Sequence, residues 1–141
     1  MNAAFIEAWV FASISSQGSA LRDVLGIADF INRTAMTRDE LELGVSRLLA
    51  RNLIEVRGSV FSVTEPGMEL RKRYGALLSF SVVKQLASEF AANPVPDQVS
   101  WKVDPEWFEY SWNLYEQEFD AIVKEDMKKL EQELREDGTI Q

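Results

Sequence analysis

The chain contains no cysteine and no histidine. Their absence excludes a disulfide framework, the common zinc-ligand sets, a thiol nucleophile and a Ser-His-Asp relay. No glycine-rich phosphate loop or nucleophile elbow takes their place, so we expect no enzyme activity, no metal and no cofactor. Long apolar runs are missing as well: nothing approaches the roughly 20 residues that a bilayer-spanning helix requires. The opening Met1–Val10 is apolar, but Glu7 interrupts it and the first positive charge comes only at Arg22. A secretory leader carries its basic residues first. This segment therefore reads as a core helix, and a cytoplasmic location without a membrane partner is expected.

What is present suffices for an ordinary core. The chain has 141 residues, 46% of them apolar, enough for one small domain with a helical extension. The net charge of −8 is unevenly placed. Nine Lys/Arg balance nine Asp/Glu up to Gly75, whereas six face fourteen from Ala76 onward. A division into a neutral 1–75 and an acidic 76–141 follows. A polyanion such as DNA is disfavoured by the second part and left open by the first.

Apolar spacing predicts a mainly α chain. Phe5, Ala8, Trp9 and Ala12 make one stripe of a first helix over 3–15. Ser19 can cap a second, in which Leu21, Val24, Leu25, Ala28 and Ile31 share a face. Thr37 and Glu40 have capping-box spacing for a third, with Leu41, Val45, Leu48 and Leu49 inward. Gly44 in its middle implies a close neighbour, for which Gly26 is a candidate. From Ile54 the period becomes two, turns at Gly58-Ser59 and resumes to Val63, as in a β-hairpin. A helix from Glu65 to Ala92, a linker at Asn93–Asp97 and a last helix from Pro105 to about Asp137 complete the reading.

Three helices followed by a hairpin is the order of a winged helix-turn-helix. Leu48-Leu49-Ala50-Arg51-Asn52-Leu53-Ile54, followed by Phe61-Ser62-Val63-Thr64-Glu65-Pro66-Gly67, resembles the corresponding stretch of PadR-like and MarR-like bacterial regulators. The resemblance covers about half the chain and implies a winged-helix domain over 1–75 with a C-terminal helical extension over 76–141. Asn52 stands where those regulators commonly have glycine. The resemblance implies a DNA-binding transcriptional regulator, with Arg38, Ser46, Arg47, Arg51 and Arg57 as candidate DNA contacts. Asp39, Glu40 and Glu42 oppose it, because carboxylates entering a groove meet phosphates. The alternative is a winged helix repurposed for protein contact without nucleic acid.

Seven of the fifteen aromatic residues fall between Trp101 and Phe119. On the last helix Phe108, Trp112, Tyr115, Phe119 and Ile122 follow a four-three spacing, and Val123, Met127, Leu130 and Leu134 resume it after a slip. Phe108, Trp112, Tyr115, Phe119, Ile122, Met127 and Leu130 are thus the candidate interface. A stripe of this kind has to be covered, since each buried side chain contributes about 1.5–3 kcal/mol. PadR-like proteins dimerise through C-terminal helices, so the resemblance implies a homodimer.

Overall fold

In the computed structural model, which describes residues 2–75, 79–96 and 98–136, the centre of the molecule is helix α1 (Ala3–Ala12). Asn2 caps it by accepting from the Phe5 amide at 2.8 Å. The expected single stripe is too narrow. Ile6, Trp9, Val10 and Phe11 are all buried, as a helix that is apolar all round must be. Helix α3 (Arg38–Ala50) lies against one side of α1 and helix α5 (Phe80–Ala92) against another. The helix ends at Ala12 rather than Ser15, where the Ser13 hydroxyl donates back to the Trp9 carbonyl at 2.7 Å.

Helix α2 (Leu21–Asn32) buries Leu21, Val24, Leu25, Ala28 and Ile31, the set that the spacing predicts. Trp9 Nε1 donates to its Ala28 carbonyl at 2.8 Å, fixing α2 on α1. Ser19 is not its cap. It belongs to a two-residue strand, β1 (Ser19–Ala20), and its hydroxyl accepts from the Ser15 amide at 2.8 Å. Two residues are too few to display an alternation, so this strand leaves no periodic signal.

The capping box at Thr37 is formed in both directions, with Glu40 N to Thr37 Oγ1 at 3.2 Å and Thr37 N to Glu40 Oε1 at 2.9 Å. Beyond α3, Asn52 takes the left-handed conformation (φ 59°) and the chain enters β2 (Ile54–Arg57) and β3 (Val60–Val63). The hairpin pairs Ile54 with Val63 and Val56 with Phe61, and β1 adds to the outer edge of β3, giving the order β1-β3-β2. Gly44 does face a close neighbour, but that neighbour is α1: a Cβ there would overlap Val10 Cγ2 and stand 3.3 Å from the Ile6 carbonyl.

The helix expected from Glu65 to Ala92 is two helices. Helix α4 (Glu65–Lys72), capped by Thr64, ends before Gly75 at φ 69°, and residues 76–78 of the expected helix lie outside the described residues. Helix α5 then returns onto α1, adding Val83, Leu86 and Phe90 to the same core as Trp9 and Leu48. The division at 75/76 is therefore a charge boundary and not a gap between two cores. Helix α6 (Pro105–Glu136) starts where Asp104 Oδ1 accepts from the Glu106 amide at 3.0 Å, and its first part lies across α2. The Leu134 side chain and Asp137 lie outside the described residues.

Candidate functional site

The third helix carries most of the candidate DNA contacts, and the middle of its outward face is covered. The connector between α5 and α6 runs over it as a strap. Ser46 is 2% exposed, and its hydroxyl accepts from the amides of Ser100 at 3.1 Å and Trp101 at 3.0 Å. One turn earlier the buried Glu42 carboxylate accepts from the Val103 amide at 2.9 Å. Val103 itself enters the core, and Trp101 meets Phe61 edge-on at 5.6 Å. Elsewhere on that face Arg38, Asp39 and Ala50 are exposed and Leu43 is half-buried.

The arginines of this helix are occupied from within. Glu7, the one acid of α1, is fully buried, and Arg47 Nε donates to its Oε1 at 2.8 Å. Arg51, one turn on, closes on Glu7 Oε2, donates to the Phe90 carbonyl at 3.0 Å and lies 4.5 Å over the Phe90 ring. Arg47 also donates to the Val95 carbonyl at 3.5 Å, at the start of the strap. The resemblance placed both side chains among the candidate DNA contacts. The correction has a physical cause: an uncompensated carboxylate inside an apolar helix is costly, and two guanidinium groups one turn apart on α3 satisfy it.

Ser46, Arg47 and Arg51 are thus withdrawn from the surface, which leaves Arg38 and Arg57 exposed. They do not make a basic stripe. Arg38 shares a shallow cleft with Asp39 and Glu109. Arg57 at the hairpin tip is 82% exposed and 3.2 Å from Glu55. Arg71, Lys72 and Arg73, the densest basic run of the sequence, divide as well. Lys72 meets Glu69 at 3.0 Å and Arg73 meets Glu89 at 2.9 Å. Arg71 turns inward to the carbonyls of Phe11 and Ile14, where it caps the end of α1 and lies 4.8 Å over the Phe11 ring. Burial lowers its pKa to about 10, which leaves it charged at neutral pH.

The aromatic run divides in the same manner. Trp107 stacks on Phe61 at 6.1 Å, and Phe108 and Trp112 pack on the chain's own core. The ring of Tyr115 rests on Gly26, where a Cβ would stand 2.7 Å from it, and its hydroxyl donates to Asp29 at 2.9 Å. Burial, the bond to Asp29 and the Asp29 charge together raise its pKa to about 12. Arg22 and Glu118, at 2.6 Å, add a second tie between α2 and α6. Of the seven candidate interface residues, Phe108, Trp112 and Tyr115 therefore serve the chain's own packing. Phe119, Ile122, Met127 and Leu130 are the ones left more than half exposed.

A hollow of about 760 Å³ lies between α4 and α5 and is walled by Arg51, Leu70, Arg73 and Glu89. It is open, and its cations already face carboxylates. Among the described residues, no helix is long and apolar enough to cross a membrane, and no group of acids is gathered as a metal would need. No protein-family model, curated protein or solved structure matches this chain.

Proposed function

We propose that this chain is a non-enzymatic winged helix-turn-helix module that acts by protein contact and not on nucleic acid, and that it pairs with a second copy through α6. Support for the fold comes from the order helix-strand-helix-helix-strand-strand and from the sheet order β1-β3-β2, in which the hairpin is the wing. One observation carries the functional reading. The face of α3 that would enter a major groove is bonded to the chain's own strap through Ser46 and Glu42, and its arginines are held by Glu7.

Electrostatics points the same way. Nucleic-acid affinity rests largely on cations that neutralise phosphates. Here Arg22, Arg57, Lys72 and Arg73 each face a carboxylate of the chain, and the excess acid lies in the second half. The test is fluorescence anisotropy with pooled genomic fragments at low and at moderate salt. We expect no binding beyond a weak background at either. Tight binding that falls steeply with salt would overturn the reading in favour of a DNA-binding regulator.

A further inference from the structure

Four arginines are at least partly buried, and three of them meet a carboxylate: Arg22 meets Glu118, and Arg47 and Arg51 meet Glu7. Arg71, among the described residues, meets none. Its Nη2 serves the Phe11 and Ile14 carbonyls, its Nε is buried without an acceptor, and its Nη1 makes no hydrogen bond among the described residues. Burial lowers its pKa with no acid acting to restore it. Two of three guanidinium nitrogens are therefore idle, and the charge is uncompensated.

The guanidinium stands in the wall of a hollow of about 310 Å³ behind the end of α1, where Ala12, Ile14 and Ile27 supply the apolar wall and Ser15 and Ser16 the hydroxyls. No acid lines it. Four other hollows of the surface each hold at least one: Glu69 and Glu89, Asp23 and Glu118, Asp29, and Asp39 with Glu109. The difference is written in the sequence, because no acid stands between Glu7 and Asp23 or between Glu69 and Glu89, although the chain has 23 of them. A positive, acid-free hollow in so acidic a chain suits an anion.

Its size and walls narrow the choice. Ligand pockets run from about 300 to 1,000 Å³, so this one takes a molecule of few atoms. A phosphate would turn unpaired oxygens toward Ile14 and Ile27, which is costly. A carboxylate has its oxygens at one end only. We propose that the hollow is a binding site for a small carboxylate with a short branched aliphatic chain. The carboxylate accepts from Arg71 Nη1 and from the exposed Ser16 hydroxyl, and the chain rests on Ile14 and Ile27. No residue of the strap or of α6 lines the hollow, so its test is independent of the function proposed above.

The test is a titration of the full, nitrogen-15-labelled chain followed by two-dimensional NMR, with three probes: 3-methylbutanoate, its neutral amide, and inorganic phosphate. Saturable shifts are expected with 3-methylbutanoate, centred on the Ser15, Ser16 and Arg71 amides. The amide and phosphate should each bind at least about tenfold more weakly, the first for want of a charge-assisted hydrogen bond and the second for the apolar wall. Arg71→Gln should weaken 3-methylbutanoate at least about tenfold, but it also disturbs the cap of α1. Ser16→Glu alters an exposed residue instead and puts the chain's own carboxylate beside Arg71. It should abolish binding while the rest of the spectrum is kept. The proposal is overturned by the absence of saturable shifts in wild type, by an amide or phosphate that binds as tightly as the acid, or by undiminished binding in a folded Ser16→Glu chain.

Discussion

Glu7 shows how a single residue can organise three helices. It lies in α1, and its carboxylate takes Arg47 and Arg51 from α3, while Arg51 also reaches α5 at the Phe90 carbonyl. Removing one member of a buried ion cluster leaves the others desolvated and unpaired. Glu7→Gln should therefore lower stability by about 3 kcal/mol, read as a shifted urea midpoint with an unchanged slope. Glu7→Leu combined with Arg47→Leu should lose less than Glu7→Gln. A smaller effect of Glu7→Gln than of an exposed control such as Glu69→Gln would contradict the clamp. Gly44 is the opposite case, where a missing side chain matters. Alanine is the better helix former by about 1 kcal/mol, but its Cβ would overlap Val10. Overpacking of about 1–3 kcal/mol should outweigh that gain, so Gly44→Ala is expected to destabilise, measured by the same denaturation.

At the scale of elements, local signals were legible and long-range ones were not. The inward faces of α2 and α3, the capping box at Thr37, the hairpin and the start of α6 at Asp104-Pro105 all depend on neighbours within a few residues. Their chemistry is written locally. The strap is different: Ser46 and Trp101 are bonded partners yet stand 55 positions apart, and no spacing rule connects them. A signal for the Glu7 clamp did exist, in a lone acid within an apolar helix and two arginines at i, i+4, but their meeting depends on the packing of α1 against α3. The strap itself is testable. Ser46→Ala removes the acceptor of the Ser100 and Trp101 amides, so hydrogen exchange at those two positions should quicken severalfold while the amides of α1 stay protected. Equal protection in wild type and variant would mean that the serine does not hold the strap.

The contact of α6 with α2 has a pH signature. The Tyr115 pKa is raised to about 12 in the folded chain, through burial first and Asp29 second, against an ordinary tyrosine near 10. A raised pKa means that the folded state holds the proton more tightly than the unfolded one. The stabilisation is then complete below pH 10 and is lost as pH rises toward 12. Wild type should be more stable than Tyr115→Phe at pH 8, with the gap closing over that window. Urea midpoints of the two proteins at several pH values check this, and a gap constant across the window would refute the assignment.

For the whole molecule, the projecting part of α6 stands apart from what folds the chain. From Glu116 to Glu133 every described side chain is exposed, and none of these residues belongs to the buried cluster. A chain ending after Asp120 keeps the Tyr115 contact with Asp29 and the Arg22 pair, so its fold should persist. What it should lose is the dependence of stability on protein concentration. A chain that pairs with itself only when folded gains about 0.7 kcal/mol per chain for each tenfold rise in total concentration above its dissociation constant, since the free chain rises as the square root of the total. Each such step lifts the melting temperature of a domain of this size by a few degrees. The full chain is accordingly expected to melt higher as it is concentrated, and the truncated chain at one temperature throughout. Were both to melt independently of concentration while sedimentation still reported a dimer, the helix would be joining copies somewhere other than on the exposed stripe. If instead the truncated chain failed to fold even when dilute, α6 would be part of the core and not an arm extended from it.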